Sequence, residues 1–399
     1  MTTQLAPVPA DTTTVSATPP PGADADLAAA DRDWSAALRR VLAVADQPSL
    51  VAQPIVDLGA GTVAGFELLS RFPTEPAATP DRWFARADQL GFAPTLTARV
   101  VQRALTLRSG LPPNTFVTVN AEPHLVAHPE VRDALLTGGR LDGVVVELTE
   151  HVRSSDDAAL HAVLDEVRAL GGLVAVDDAG TGYSGLEQLM SVRPDIVKLD
   201  RAIVTGIDRD PVRRSMVEMM GELASRMDGW VLAEGVETEA ELRTLTSLGV
   251  PLVQGWLLGR PAPGWPRLAP DVVALLRDCA LRVSLTDHIA HLVRDCAVVS
   301  DVADRASGTS DRFGATTVLI DVDGRPLSVL VPGPDDLLYV VPAMTVAPSS
   351  APRDVARRAL GRPAWQRGAP LVCTDVNGQV IGILDLGELV DATLAAANR

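Results

Sequence analysis

The sequence predicts an α/β protein: a TIM-type (β/α) barrel followed by a smaller α+β domain. Three observations predict it. Short apolar runs alternate with helical stretches from Val51 to about Pro263. Each run closes on a polar residue, and after residue 265 the pattern changes to two strand–turn–strand repeats. Apolar runs that end abruptly have the look of parallel strands buried on both faces. They lie at 62–66 before Glu67, 116–119 before Asn120, 144–146 before Glu147 and 173–176 before Asp177. Three more lie at 195–197 before Lys198, 231–233 before Glu234 and 251–253 before Gln254.

Between the runs the sequence predicts helices over Pro123–Leu136, Ala158–Leu170, Val212–Met227 and Glu239–Leu248, the first with proline at its first turn. Parallel strands with crossover helices over about 210 residues fit a closed barrel. An open doubly wound sheet is the alternative. It lacks support because no glycine-rich phosphate turn follows the first strand.

The chain has 399 residues, which suits two domains. Residues 1–28 are rich in Thr, Pro and Ala and read as a disordered tail. A helix is expected over Asp31–Ala45, within a barrel domain of residues 29–265. Residues 266–399 form the second domain. Its repeats, 316–331 and 369–384, each carry an apolar strand, an Asp-Gly or Asn-Gly turn and a second strand. Helices are expected over Pro352–Ala359 and Leu386–Ala397.

The formal net charge is −16, which opposes binding of a DNA or RNA polymer. A small anion is still compatible if cations neutralise the contact locally. The three cysteines, Cys279, Cys296 and Cys373, have no zinc-like spacing and read as reduced thiols of a cytoplasmic protein. No apolar run reaches the roughly 18 residues a membrane span needs, and no basic start precedes an apolar stretch.

The chemistry lies in where the polar residues fall. In a parallel barrel, residues at the C-terminal strand ends all face one mouth. Seven successive strands present Glu67, Asn120, Glu147, Asp177, Lys198, Glu234 and Gln254 there. Converging carboxylates repel one another and need cations. An oxygen-only donor set favours Mg²⁺ or Mn²⁺ over Zn²⁺ or Cu²⁺. Such a cluster suits two ions per site, about 4 Å apart, as used for in-line phosphoryl displacement. Capping and turn roles are the alternative for any one position, but glutamate is a poor N-cap and recurs here.

On these residues, residues 50–263 resemble the EAL-type cyclic di-GMP phosphodiesterases. The signature triplet stands as Glu67-Leu68-Leu69, and further blocks match in order: VNAEP, ELTE, DDAGTGYSG, DIVKLDR, AEGVE and QGWLLGRP. The resemblance implies that Glu67, Asn120, Glu147 and Asp177 bind one metal ion. Asp178 binds a second, with Asp177 as a bridge. It implies that Lys198 contacts the attacking water, that Glu234 holds or deprotonates it while serving the metal site, and that Gln254 supports that shell. Gln53, Leu69, Arg71, Asp200 and Pro261 are implied substrate contacts, and Glu150 with Gly180, Thr181 and Gly182 an implied loop that couples dimerisation to activity. The implied reaction opens one 3′,5′-phosphodiester bond of cyclic di-GMP, in line with the departing 3′ oxygen, to give linear 5′-pGpG. A homodimer is implied as well.

Three positions depart from the family pattern. Ala179 stands where Phe is usual, Gly185 where Ser is common, and Glu122 where Ser follows the asparagine. They leave the inferred ligands intact and bear on the rigidity of the coupling loop. A catalytically silent cyclic di-GMP receptor is the competing function, and a different metal-dependent barrel hydrolase the third. The C-terminal repeats resemble a CBS-domain pair, which implies an adenine nucleotide as ligand and a regulatory role. Asp385 and Glu388 stand where that motif usually has its ribose-contacting Thr and Asp. A packing or dimerisation module without ligand is the alternative. No cyclase motif is present, so synthesis of cyclic di-GMP is not expected.

Overall fold

The computed structural model describes residues 23–149, 157–179, 183–282, 289–300, 316–332, 338–348, 350 and 352–397. Eight strands close a TIM-type barrel in chain order: β1 (Ser49–Asp57), β2 (Thr62–Arg71), β3 (Phe116–Ala121), β4 (Val144–Leu148), β5 (Leu173–Ala179), β6 (Ile196–Leu199), β7 (Trp230–Ala233) and β8 (Leu252–Val253). Strands β2 to β8 are parallel to their neighbours, as the apolar runs predict. Strand β1 is antiparallel to both β2 and β8. The sequence reading began the strands at Thr62 and missed β1, because Gln53 and Pro54 interrupt its apolar run. The turn into β2 forms around Asp57, whose Oδ1 accepts from the amides of Gly59 at 2.7 Å and Ala60 at 2.9 Å.

Among the described residues, ten helices surround or lead into the barrel: α1 (Ala23–Ala43), α2 (Pro80–Gln89), α3 (Ala93–Arg108), α4 (Pro123–Val126), α5 (Pro129–Leu136), α6 (Asp157–Ala169), α7 (Tyr183–Val192), α8 (Arg201–Val204), α9 (Pro211–Arg226) and α10 (Glu239–Ser247). Two expectations are corrected. Helix α1 begins at Ala23, so residues 23–28 are helical and not part of a disordered tail. Alanine is the strongest helix former, and Ala-rich composition conceals that here. Residues 1–22 lie outside the described residues. The single helix expected over Pro123–Leu136 is two, because Pro129 cannot donate to the preceding turn. His128 caps the second helix by accepting from the Glu130 amide. Helix α11 (Pro270–Arg282) differs from the expected boundary at residue 265. Its Val272, Leu276 and Cys279 join the barrel's outer core, and Asp278 pairs with Arg243 of α10.

Side chains alternate with period two between two environments. Val144, Val146, Val174, Val176, Val197 and Val231 face the helices. Val145, Ala175, Ile196, Leu232 and Leu252 fill the barrel interior. Phe116 also points inward, and its ring takes the space a side chain at residue 65 would need. A Cβ on Gly65 would stand 2.6 Å from that ring.

Among the described residues the second domain has two sheets. One holds β9 (Ala297–Val299), β10 (Thr317–Ile320), β11 (Pro326–Pro332) and β12 (Leu338–Pro342); the other holds β13 (Thr345–Val346), β14 (Leu371–Thr374) and β15 (Val380–Leu384). Helices α12 (Pro352–Leu360) and α13 (Leu386–Ala397) match the expected positions to within a residue. The two repeats are the hairpins β10–β11 and β14–β15. Their turns are built alike. Asp321 Oδ1 accepts from the amides of Asp323 and Arg325, and Asp375 Oδ1 from those of Asn377 and Gln379, each at 2.8–2.9 Å. Gly324 and Gly378 take positive φ, 81° and 79°, which explains the glycines the hairpin motif carries. Both turns meet the N-terminal face of the barrel, and Val376 belongs to the barrel's interior apolar cluster.

Gly65→Ala forces a methyl into the Phe116 ring. It should lower unfolding stability by about 1–3 kcal/mol, the usual cost of overpacking, read as the shift in urea midpoint. An unchanged midpoint would show that the ring has room to move.

Candidate active site at the barrel mouth

The sequence reading expected seven polar residues at one rim. The structure brings all seven together at the C-terminal ends of β2 to β8. Five stand one layer above interior apolar residues: Val145 precedes Glu147 by two positions, as Ala175 does Asp177, Ile196 Lys198, Leu232 Glu234 and Leu252 Gln254, while the buried Thr118 precedes Asn120. Gly65 precedes Glu67 in the same way.

At the centre is Lys198, 1% exposed, beside Glu147, fully buried. Its ammonium is in direct contact with Glu147 Oε1. It lies 2.7 Å from Glu234 Oε1, 3.2 Å from Asp177 Oδ1 and 3.9 Å from Glu67 Oε1. Two amides tie Glu67 in place. Asn120 Nδ2 donates to its Oε1 at 3.3 Å and Gln254 Nε2 to its Oε2 at 2.6 Å. The Asp178 amide donates to Asp177 Oδ1 at 2.9 Å.

One cation faces four carboxylates, and the acidities follow. Burial works against the Lys198 ammonium, but Glu147, Glu234, Glu67 and Asp177 outweigh it and hold its pKa well above the ordinary value. Burial pushes Glu234 up to about 8, against the pull of Lys198 and with the help of Asp177 and Glu67. Burial likewise raises Glu147. Asp178 is pushed up to about 6, by burial first, then by the Asp177 charge and a hydrogen bond to Asp200. Asp178 also holds a left-handed backbone, φ 53°, the strained kind of conformation that collects at functional sites.

The segments around these residues are fixed by local devices. Glu241 caps α10 together with Thr238 and accepts from the amides of Gly206, Glu237 and Thr238 at 2.9–3.1 Å, which holds the loop that follows Glu234. Gly255 lets the chain after Gln254 pass the Val236 backbone, 2.1 Å from where a Cβ would stand. Gln53 is buried and donates to the Gly259 carbonyl at 3.0 Å. The structure therefore shows it bracing the loop after β8, with its Nε2 already engaged. Asp200 caps α8 by accepting from the Ala202 amide at 2.7 Å. Arg71 donates to the Ser70 carbonyl at 2.9 Å. Arg71, Leu69, Glu122 and Thr149 line a cavity of about 830 Å³ that reaches Glu67, Asn120 and Asp177, within the roughly 300–1,000 Å³ of small-molecule sites. Pro261 lies beside Ala262, which pairs with Ala52 of β1. Glu150, Gly180, Thr181 and Gly182 lie outside the described residues.

The donor chemistry of the mouth fits a hard divalent cation. Every candidate ligand is an oxygen, and two buried oxygens there, Glu147 Oε2 and Gln254 Oε1, have no hydrogen-bond partner. Among the described residues no three acids are gathered at metal-holding spacing; they close round Lys198 instead. A cation entering the mouth would compete with that ammonium for the same oxygens. One signal was overlooked in the sequence: Lys198 is the only lysine of the chain, the other cationic side chains being arginine.

A family model of the EAL domain matches residues 35–261, more than half of the chain. The chain belongs to the EAL domain family. It is 31% identical over 243 residues to the bifunctional diguanylate cyclase/cyclic di-GMP phosphodiesterase MucR of Pseudomonas aeruginosa, covering 58% of this chain and 34% of the relative. It is 28% identical over 227 residues to the probable cyclic di-GMP phosphodiesterase PdeI of Escherichia coli, covering 54% and 29%. The match thus spans about a third of these relatives' length. Among solved structures, the EAL protein resembles Klebsiella pneumoniae BlrP1 in complex with calcium and cyclic di-GMP, with a TM-score of 0.50 and 31% identity over 56% of this chain and 58% of that one. It also resembles an EAL domain protein of Listeria monocytogenes, with a TM-score of 0.52 and 26% identity over 58% and 92%. These likenesses agree with the barrel. No helix among the described residues is long and apolar enough to cross a membrane.

The metal-free protein should lose stability as pH rises. Glu234 has an ordinary value of 4.5 and a folded value of about 8. The folded chain therefore keeps a proton that the unfolded chain releases across that window, so stability falls as pH climbs through it. Lys198→Met deepens the loss. At pH 8 it should cost about 3–5 kcal/mol by leaving buried carboxylates unpaired, and much less near pH 5, where folded Glu234 holds its proton. Denaturant melts in chelator at the two pH values check this. An equal cost at both, or a gain at pH 8, contradicts it.

Proposed function

We propose that this EAL protein is a divalent-metal-dependent phosphodiesterase that hydrolyses cyclic di-GMP to linear 5′-pGpG, under the influence of its C-terminal domain. The observation that carries the reading is the gathering of Glu67, Glu147, Asp177 and Glu234 around Lys198, with Asn120 and Gln254 bracing Glu67. The names of the relatives and of the ligand-bound neighbour supply the substrate class.

Glu67, Asn120, Glu147 and Asp177 would hold one Mg²⁺ or Mn²⁺, and Asp178 a second with Asp177 shared. Bound there, the ions would neutralise phosphoryl charge and make water acidic enough to be a nucleophile near neutral pH. The chain's own residues do the rest. Glu234 would take a proton from the attacking water once bound cations have offset the burial that makes it hold its own proton. The Lys198 ammonium stays charged at all physiological pH values and fixes Glu234 at 2.7 Å. It also offers fixed positive charge where negative charge builds during phosphoryl transfer. Gln53, Leu69, Arg71, Asp200 and Pro261 would be the substrate contacts, and Arg71 is the planar cation suited to a phosphate or a guanine edge.

Incubation of the purified chain with cyclic di-GMP and Mg²⁺ or Mn²⁺ should yield linear 5′-pGpG, and a chelator should stop it. Glu67→Ala should reduce turnover by about a hundredfold or more, the scale of losing one group that acts on the transition state. Tight binding without turnover would instead identify a silent receptor. Turnover indifferent to Glu67→Ala would place the chemistry elsewhere.

A further inference from the structure

The barrel's N-terminal face, opposite the mouth, is occupied by the two matching turns of the C-terminal domain. The first turn reaches the segments before β4 and β5. Asp323 pairs with Arg140 at 2.8 Å, Arg325 with Asp142 at 3.3 Å, and Arg325 also donates to the Gly171 carbonyl at 3.2 Å. The second turn reaches the segment before β3. Asn114 Nδ2 donates to Asp375 Oδ2 at 3.0 Å, and Asn377 Nδ2 donates back to the Asn114 carbonyl at 3.1 Å. The turns are joined to each other by Gln379, which donates to the Asp323 carbonyl at 2.9 Å. A third contact, Arg358 of α12 with Asp228, fixes the segment before β7.

Partly exposed ion pairs of this kind contribute little each. What they provide together is register, at four barrel segments at once. The apolar anchor is Val376, 5% exposed, at the tip of the second turn. It shares a cluster with Phe116, Val145, Ala175, Ile196, Trp230 and Leu252. That cluster fills the barrel between Val376 and the carboxylate ring: Val145, Ala175, Ile196, Leu232 and Leu252 stand two residues before Glu147, Asp177, Lys198, Glu234 and Gln254 on the same inward face, and Phe116 and Trp230 lie one step lower, towards Val376. Close-packed interiors transmit displacement because they hold few voids to absorb it.

We propose that this face is the interaction surface through which the C-terminal domain sets the catalytic mouth. Val376 and the paired turns hold the interior layer, and that layer holds the spacing of the acids around Lys198. The proposal rests on the reading of the mouth as catalytic and metal-binding. It gives the C-terminal domain a route to the site through the bottom of the barrel.

The test uses the full chain with two independent variants, Val376→Asp and Arg140→Glu, and the charge-swapped pair Arg140→Glu with Asp323→Arg. Hydrogen exchange is read at the segments carrying Asn114, Asp142 and Trp230, and at the strand ends carrying Asn120, Glu147 and Glu234. Mn²⁺ affinity is measured on the same samples. Either single variant should speed exchange at the bottom segments about tenfold, speed it at the strand ends as well, and weaken Mn²⁺ binding about fivefold or more. The swap should restore all three. Loosened bottom segments with unchanged strand ends and Mn²⁺ affinity would overturn the proposal, as would no loosening in either single variant. A wild-type chain that neither hydrolyses cyclic di-GMP nor binds Mn²⁺ counts against the functional reading alone, because strand-end exchange still scores the coupling.

Discussion

A single buried ammonium balances four carboxylates at the mouth of this barrel, and the structure of the site depends on that imbalance. In a low-dielectric interior, one positive charge cannot satisfy four negative ones. The surplus is met in two ways. Glu147 and Glu234 hold their protons more tightly than free glutamates, and oxygens such as Glu147 Oε2 are left without a partner. Both leave the mouth with oxygen donors of the kind that suits a hard cation. The chain uses arginine wherever else a cation is needed and reserves its one lysine for this point. A compact ammonium on a flexible stem brings one point charge among the four acids, where arginine would bring a planar fork.

The barrel converts a one-dimensional pattern into that site. Alternation with period two sends Val144, Val146, Val174 and Val176 outward and Val145 and Ala175 inward, so the next inward residues, Glu147 and Asp177, reach the mouth. The same alternation places an apolar layer between the acids and the C-terminal domain. The two ends of the barrel are therefore separated only by this packed apolar interior, with the carboxylates above it and the hairpin turn of Val376 below.

Much of this was legible in the sequence because each deciding residue ends an apolar run. Glu67, Asn120, Glu147, Asp177, Lys198, Glu234 and Gln254 could be read as one constellation before any fold was seen. The hairpins were legible for the same local reason, since Asp-Gly and Asn-Gly turns need the positive φ that Gly324 and Gly378 adopt. What failed to show was non-local or masked by composition. Strand β1 is antiparallel and carries Gln53 and Pro54, so it breaks the pattern of its neighbours. Helix α1 starts within an Ala-rich stretch that reads as low complexity. The hydrogen bond of Gln53 to the Gly259 carbonyl comes from closure of β1 against the loop after β8, some 206 residues away. The docking of the two turns on the barrel likewise depends on contacts such as Asn114 with Asp375, 261 residues apart.

Because Lys198 has no other lysine to overlap with, its charge state can be observed directly. Lysine labelled with ¹³C at Cε gives one side-chain resonance in the folded chain, which can be followed with pH in chelator. The account predicts that this resonance keeps its ammonium shift through pH 10.5, the ordinary lysine value, because four carboxylates hold the proton in place. A resonance that titrates at or below 10.5 would contradict it, and would mean that the acids do not surround the lysine as charges.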